Sequence, residues 1–348
     1  MAFYCTESLS FLNNTFRYLL VFGTHVDTIR PRLVVSKCIE FDHCRYNGDV
    51  IGSELVRRMR EKVDFLPVCM EVEIGLGVPR DPVRIVSLKN GERRLVQPNT
   101  GLDVTDRALH FCGQFLMGLD EVDGFLLKSR SPSCGLRDTR IYPEGEGKAP
   151  ISKESGFFGE AVLGAFGHLA VEDEARLRNV RIAEHFLTKL YALARFRELD
   201  RNINSLMQYQ ADNKLLLMMY GQNKMRLLGN VASNREKRDT EHVFEQYRTL
   251  LCGAFENIPK CTAGVNVLMH ALGYYKDLLA PQEKKFFLET LDMYRDARVP
   301  LSVCLNLMKS YNVRFGNEYL RRQTFFEPFP GDLLEAGITD SCALRELS

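Results

Sequence analysis

The pattern of apolar and polar positions changes character near residue 180. Before that point, short apolar runs bounded by Gly, Pro, Ser or Asn predict buried strands over residues 33–36, 63–69 and 124–128. Amphipathic stretches between them predict helices over residues 54–62 and 107–119. Strands that alternate with helices indicate an α/β domain built on a mainly parallel sheet flanked by helices.

A β-hairpin is also expected within this first half. Residues 84–88 and 93–97 each contain apolar and β-branched residues, and Asn90 and Gly91 lie between them as a turn dipeptide. Residues 157–169 predict a closing helix. Residues 171–178 are charged and are interpreted as a joint between domains.

From Ile182 onward the apolar positions follow a helical period almost throughout, which predicts an all-α C-terminal domain. A length of 348 residues suits two domains. The predicted layout is a leader over residues 1–30, an α/β domain over 31–168, a linker over 169–181, a helical domain over 182–332 and a tail over 333–348.

Composition adds limits on location and partners. The net charge of +1 neither indicates nor excludes a nucleic-acid partner. Residues 181–330 alone carry +6, from 22 Lys and Arg against 16 Asp and Glu, so an acidic ligand is expected to contact the second half. No apolar run approaches the roughly 20 residues that span a bilayer, and no signal peptide is recognised. A cytoplasmic protein without membrane association is therefore expected, and no feature indicates an obligatory protein partner.

Three of the ten cysteines stand where a predicted strand gives way to turn-forming residues: Cys38, Cys69 and Cys134. Sites in α/β sheets form at the carboxyl ends of strands, so the three thiols are expected to converge. An iron–sulfur cluster, a zinc site, and ordinary packing or redox thiols all remain open on spacing alone. Cys44 is a possible fourth ligand. By contrast Cys112, Cys252 and Cys304 lie inside apolar helical stretches and are interpreted as core residues.

Polar residues beside the cysteines are candidates for chemistry. If the backbone after Cys69 is extended, Glu71 lies on the same side as that thiol and is a candidate proton donor or acceptor. The alternative is an ordinary surface acid. Ser131 and Ser133 flank Pro132 and either bind substrate or form the turn.

Basic residues next to the same motifs are candidates for binding an anionic substrate. These are Lys37, Arg45, Lys128 and Arg130. The helical half adds many pairings of basic and aromatic residues, such as Arg195-Phe-Arg197 and Tyr274-Tyr-Lys276. This composition suits RNA, although aromatic residues at helical spacing usually fill a core.

Four ordered motifs resemble the TudS-type thiouracil desulfidase family. They are Val35-Ser-Lys-Cys38, Cys44-Arg-Tyr-Asn-Gly48, residues 67–80 with Cys69 and Glu71, and Lys128-Ser-Arg-Ser-Pro-Ser-Cys-Gly135. Residues 182–330, with Asn266-Val-Leu-Met-His-Ala-Leu-Gly-Tyr and Gln323-Thr-Phe-Phe-Glu-Pro-Phe-Pro330, resemble the helical YbgA-type domain. The fusion is similar to desulfidases that act on 4-thiouridine in transfer RNA.

This resemblance implies a function and a site. Cys38, Cys69 and Cys134 would ligate a 4Fe–4S cluster, and its free iron would take the sulfur of a thiolated pyrimidine. Glu71 and Ser131 would serve proton transfer and substrate orientation. The expected activity is desulfidation of thiolated uracil, with thiolated tRNA as substrate. Free thiouracil or thiouridine nucleotides are the alternative substrates, and a non-catalytic redox or iron sensor is the alternative role.

Overall fold

The computed structural model describes residues 28–145 and 149–334. The predicted leader and tail therefore lie almost entirely outside the described residues. Two compact units divide the described chain, an α/β unit over residues 30–194 with 332–334, and a helical unit over residues 195–331. Within the described ranges, no helix combines the length and apolar character needed to cross a membrane.

The α/β unit contains nine strands in its described part. They are β1 (Arg32–Ser36), β2 (Asp64–Val68), β3 (Arg84–Ser87), β4 (Arg93–Gln97), β5 (Leu102–Asp103), β6 (Gly124–Leu127), β7 (Thr139–Pro143), β8 (Ser152–Glu154) and β9 (Ala170–Asp173). Its helices are α1 (Glu54–Met59), α2 (Met70–Glu73), α3 (Thr105–Met117), α4 (Phe157–Phe166) and α5 (Val180–Arg197). The unit boundary falls within α5, between residues 194 and 195.

A parallel sheet in the order β2-β1-β6-β9 confirms the predicted fold class. The central strands β1 and β6 are buried almost without interruption, as continuous apolar runs in a sheet covered on both faces should be. Pro67 lies in β2, which is an edge strand of the sheet. Proline has no backbone N–H to donate, but an edge strand pairs with a neighbour on one side only, so no hydrogen bonds to a second strand are lost. Ser36 of β1 pairs with Val68 of β2, so the carboxyl ends of the two strands are level.

A second sheet in the order β5-β4-β3-β7-β8 lies within the same unit. The predicted hairpin is confirmed, because β3 and β4 pair antiparallel with Arg84 opposite Val96. The short, polar strands β7 and β8 were not predicted, since neither has a clear alternating pattern. The aromatic rings of Phe111 and Phe158 join α3 to α4, with centroids 6.2 Å apart.

The expected joint over residues 171–178 is wrong, because residues 170–173 form strand β9, which pairs with β6. Its acidic residues masked the strand pattern. Glu172 and Asp173 are buried, and Glu172 forms an ion pair with Arg176 at 2.8 Å. The carboxylate of Asp173 accepts the backbone N–H of Ala175 and of Arg176, which starts the short 3₁₀ turn Arg176–Arg178.

Helices make up the second unit, as predicted. They are α6 (Ile203–Asp212), α7 (Lys214–Tyr220), α8 (Gln222–Ala232), α9 (Thr240–Ala254), α10 (Cys261–Gly273), α11 (Pro281–Arg295), α12 (Leu301–Phe315) and α13 (Glu318–Arg321). The sequence pattern predicts one continuous helix over residues 215–228, but the structure divides this stretch at Gly221, whose φ of 153° suits glycine and ends α7.

Candidate functional site

The predicted cysteines lie at one edge of the parallel sheet. Cys38 follows the end of β1 by two residues, and Cys69 follows β2 directly and caps the start of α2. Cys134 lies in the loop that follows β6. Because β1, β2 and β6 are parallel neighbours, their carboxyl ends deliver the three segments to the same place.

The thiol of Cys44 forms hydrogen bonds with the thiols of Cys38 and Cys69. Its hydrogen bond with Cys38 is the largest of the effects that raise the pKa of Cys44 to about 11. A hydrogen bond with Cys44, together with burial, raises the pKa of the Cys69 thiol well above its usual range. The Cys69 Sγ also lies 3.9 Å from the carbonyl oxygen of Cys44.

Cys134 is more deeply buried, with 7% of its surface exposed. Burial is the main cause that raises the pKa of its thiol to about 12, and the nearby charges of Cys69 and Glu71 raise it further. Hydrogen bonds with Ser36 and Ser131 act in the opposite direction. Cys134 therefore belongs to the same electrostatic neighbourhood as Cys69 and Glu71.

These thiols approach one another in pairs. Among the described residues, no three or more His, Cys, Asp or Glu side chains are grouped so as to hold a single metal ion. The donors fit an iron–sulfur cluster by their chemistry, because clusters are held by cysteine thiolates. Thiols with raised pKa values carry protons that metal binding would release. The interpreted core cysteines, Cys112, Cys252 and Cys304, are buried as expected.

Glu71 lies on helix α2, so the backbone after Cys69 is not extended and the condition under which Glu71 was expected to share a side with that thiol is not met. The side chain nevertheless faces the site. Its Oε2 accepts hydrogen bonds from Arg80 Nη2 at 2.6 Å and Nε at 2.9 Å. Its Oε1 accepts the hydroxyl of Ser133 at 2.6 Å. Both carboxylate oxygens are thus held by partners from separate loops.

Arg80 is the functional candidate that sequence reasoning missed. Only 4% of its side chain is exposed, and its Nη1 donates to the carbonyls of Cys44 at 3.0 Å and Gly77 at 2.9 Å. Its backbone N–H donates to the carbonyl of Tyr46 at 2.8 Å. Arg80 therefore ties the Cys44 loop to Glu71. Its place at the end of the glycine loop over residues 75–80 was the available signal.

The loop that carries Cys134 is fixed by its own hydroxyl groups. The Ser131 Oγ accepts the backbone N–H of Ser133 at 3.2 Å and of Cys134 at 3.0 Å. Ser133 instead turns its hydroxyl to Glu71. The two hydroxyl groups therefore have different partners: that of Ser131 stabilises the turn, and that of Ser133 donates to Glu71, the candidate base.

Helix α4 holds the same loop from outside. The backbone N–H of Phe157 donates to the carbonyl of Pro132, and those of Phe158 and Gly159 donate to Ser133. A Cβ atom at Gly156 would lie 2.6 Å from the carbonyl oxygens of Pro132 and Ser133, so only glycine allows this approach.

Every basic residue predicted to bind substrate forms an ion pair with a carboxylate. The pairs are Lys37 with Asp42 at 2.8 Å, Arg45 with Asp49 at 3.5 Å, Lys128 with Glu174 at 2.5 Å and Arg130 with Asp138 at 3.7 Å. Glu174 also accepts the backbone N–H and the hydroxyl of Ser129. Lys128 and Glu174 thereby anchor the start of the Cys134 loop.

The aromatic residues of the helical half mostly fill the core. Tyr191, Phe196, Tyr275 and Tyr311 are buried, and Tyr274 remains 46% exposed beside Tyr319, with ring centroids 5.1 Å apart. Stacking on RNA is therefore available to few of the rings that suggested it.

Comparison with known families matches the two halves of the chain separately. Residues 33–174 match the family described as 2-thiouracil desulfurase. Residues 214–330 match a family described as a protein of unknown function, DUF1722. The first match spans the parallel sheet and all the cysteines of the site.

Individual relatives follow the same division. The uncharacterized protein YbbK of Bacillus subtilis is 31% identical over 110 residues, which cover 30% of this chain and 72% of YbbK. The uncharacterized protein YbgA of Escherichia coli is 27% identical over 142 residues, which cover 40% of this chain and 84% of YbgA. A solved structure described as the [4Fe-4S]-dependent thiouracil desulfidase TudS is 26% identical, with 44% of this chain and 98% of that one aligned at a TM-score of 0.34.

Proposed function

Because the chain belongs to the 2-thiouracil desulfurase family and joins that domain to a YbgA-type helical domain, we propose that it desulfurates 4-thiouridine in tRNA with a 4Fe–4S cluster. The observation that carries this proposal is the placement of Glu71. Its carboxylate lies among the site cysteines, and Arg80 and Ser133 hold both of its oxygens.

Cys38, Cys69 and Cys134 are proposed to hold the cluster, with Cys44 beside it. Three ligands leave one iron with an open position, and such an iron supplies a soft Lewis acid that suits a thiocarbonyl sulfur. Cys134 is buried, whereas Cys38 and Cys69 are half-buried.

Glu71 is proposed to act as the general base. Its carboxylate accepts a proton from the water that attacks the carbon bearing sulfur, and Arg80 keeps the carboxylate oriented. The water oxygen forms the new carbon–oxygen bond, and the carbon–sulfur bond breaks to release hydrosulfide. The carbon keeps its oxidation state, so no external oxidant or reductant is needed.

Support for an RNA substrate comes from charge. Residues 181–330 carry +6, while residues 31–166 carry −1. Phosphate contacts by Lys and Arg dominate nucleic-acid affinity, so the helical half is proposed to hold the tRNA.

One observation favours a second candidate, the same reaction on free thiouracil. The four basic residues next to the site cysteines are all paired with carboxylates. Paired cations attract a phosphate group less than free ones do, and a neutral base needs no such contact. A desulfidase of the free base would fit these pairings.

Anaerobic reconstitution with iron and sulfide, followed by incubation with 4-thiouridine-containing tRNA, tests the proposal. Mass spectrometry of the nucleosides should show 4-thiouridine replaced by uridine, with hydrosulfide released. Sulfide release from free thiouracil alone would select the second candidate. An intact cluster that releases sulfide from neither substrate would indicate a sensing role. Glu71→Gln should abolish turnover, and Glu73→Gln on the same helix is the matched control.

A further inference from the structure

A cavity of about 430 Å³ opens in the helical unit, away from every residue assigned above. It lies where α7 ends, α8 begins, α9 ends and α10 begins. Gly221 makes the break between α7 and α8 with a φ of 153°, a conformation that side chains with a Cβ rarely adopt. A cavity of this size falls in the range of about 300–1,000 Å³ found for small-ligand sites.

The charge of the lining selects for an anion. Among the described lining residues, Lys224 and Lys260 are basic and none is acidic. Lys224 donates to the carbonyl of Gly253 at 2.7 Å, and Glu256 approaches it from outside the lining at 3.9 Å. Lys260 is exposed and forms no ion pair with any residue in the described ranges.

Because Lys260 has no carboxylate partner among the described residues, the cavity differs from the other basic and aromatic surface of the helical unit. Around the Tyr274–Tyr319 pair the cations are already neutralised. Lys276 pairs with Asp277, Arg321 with Glu318 and Arg322 with Asp212. At the cavity, an anionic ligand can therefore pair with Lys260 without competing with a carboxylate of the described residues.

The rest of the lining suits a nucleoside. Met218, Met219 and Ile258 give an apolar wall, and methionine side chains adapt to flat ligands. Asn257, Thr262 and Asn266 add amide and hydroxyl groups that bond base edges or ribose. Helices α8 and α10 also begin here without side-chain caps, which adds to the attraction for an anion.

We propose that this cavity binds one nucleoside phosphate of an RNA strand, with the base on the methionine wall and the phosphate at Lys260. The inference rests on the RNA part of the proposed function and adds to it a recognition site in the helical unit. The nucleotide held here is bound by residues that take no part in desulfidation.

Two substitutions separate charge from shape. Lys260→Ala removes one phosphate contact and should weaken binding of a fluorescein-labelled tRNA by about three- to tenfold, with a salt slope smaller by about 1. Thr262→Trp fills the cavity without changing its charge, so it should weaken tRNA binding by about tenfold and leave the slope unchanged. Lys284→Ala, an exposed lysine on α11, is the matched control and should bind as the original chain does.

Fluorescence anisotropy across a salt series, with circular dichroism to verify folding, gives the tRNA affinities. Uridine monophosphate, followed by calorimetry, is the second probe. Losses for both probes in both variants support the site. If tRNA binding is unchanged while uridine monophosphate binding falls, the cavity serves free nucleotides and the RNA proposal is overturned. Unchanged binding of both probes, or a loss equal to that of Lys284→Ala, overturns the site itself.

The proposed function fails in a different way. A chain that binds tRNA through Lys260 but leaves its 4-thiouridine intact would lose the proposed reaction and keep the site. A chain that desulfurates tRNA, and whose Lys260→Ala and Thr262→Trp variants bind tRNA as tightly as the original chain, would keep the reaction and lose the site.

Discussion

The guanidinium of Arg80 and the carboxylate of Glu71 form a buried ion pair, with Nη2 and Oε2 2.6 Å apart and side chains only 4% and 12% exposed. Removing one partner leaves the other charge buried and uncompensated, which costs far more than replacing both. The pair therefore links the stability of the α/β unit to the orientation of Glu71, the proposed base.

Arg80→Gln should lower the free energy of unfolding of the α/β unit by about 3 kcal/mol, because Glu71 loses its buried partner. The double variant with Glu71→Gln should recover much of that loss. Misplacement of the carboxylate should also reduce kcat by roughly 100-fold, with a smaller change in KM. Urea unfolding and steady-state kinetics check both effects. Arg94→Gln, whose partners Glu92 and Asp103 are at the surface, is the control. Turnover equal to the original chain in Arg80→Gln would reject the positioning role.

Substitutions of Ser133 and Ser131 should change different properties of the protein, turnover for Ser133 and iron content for Ser131. Ser133→Ala removes the hydrogen bond to Glu71 and should reduce kcat by about tenfold, the scale of one hydrogen bond to a charged group, with iron content unchanged. Ser131→Ala removes the acceptor for the N–H groups of Ser133 and Cys134 and should reduce iron content. Iron analysis beside kinetics tests the division. If Ser131→Ala keeps a full cluster but has no turnover, Ser131 acts on the substrate and is not needed to hold the Cys134 loop.

The cysteines should divide into ligands and neighbours. Cys38→Ala, Cys69→Ala and Cys134→Ala should each lose most of the iron and sulfide bound after anaerobic reconstitution, because the proposed cluster would be held by all three thiolates. Cys44→Ala should retain the cluster. Cys112→Ala, a buried thiol that contacts Met70 Sδ at 3.8 Å, is the matched control. Loss of iron in Cys44→Ala would mean a fully ligated cluster without an open iron.

Much of this arrangement could be predicted from the sequence because it follows from local pattern. Cys38, Cys69 and Cys134 end apolar runs, and parallel strands bring such ends together. Strand β9 could not be predicted, because Glu172 and Asp173 hide an apolar pattern until their partners at residues 175–176 are known. The two acidic residues made a buried strand resemble a charged linker in the sequence.

Arg80 shows a second limit of sequence reasoning. Its partners Glu71 and Cys44 lie 9 and 36 residues away, so only the folded chain reveals that one guanidinium serves both. The same limit applies to Lys128, whose partner Glu174 lies 46 residues later. Lys128 was expected to bind the substrate because it precedes the Cys134 motif, but in the fold it pairs with the carboxylate of Glu174.

His185 should make the stability of the α/β unit depend on pH. Burial, with a smaller effect from the charge of Lys189, lowers the pKa of this histidine to about 4 from its ordinary 6.5. The unfolded chain therefore binds the proton first, so stability is complete above pH 6.5 and falls as the pH drops toward 4. The loss between pH 7 and pH 5 should be about 2 kcal/mol. Urea unfolding at both pH values tests this, and His185→Gln should show a smaller difference. Equal pH dependence in the two proteins would exclude His185 as the cause.

Gly156, the residue before α4, should be sensitive to substitution because it packs against the Cys134 loop. A Cβ atom there would meet the carbonyl oxygens of residues 131, 132 and 133 at 2.6–2.7 Å, so Gly156→Ala must push the loop away from α4. Since that loop carries Cys134 and Ser133, the displacement should lower both iron content and kcat, by about tenfold for kcat on the scale of a small misplacement. Gly164→Ala, within α4 and with nothing within 4 Å of the added Cβ, is the control and should keep both values. Iron analysis and turnover of thiouracil decide the outcome. Full iron content and full turnover in Gly156→Ala would show that the loop reaches its working position without α4.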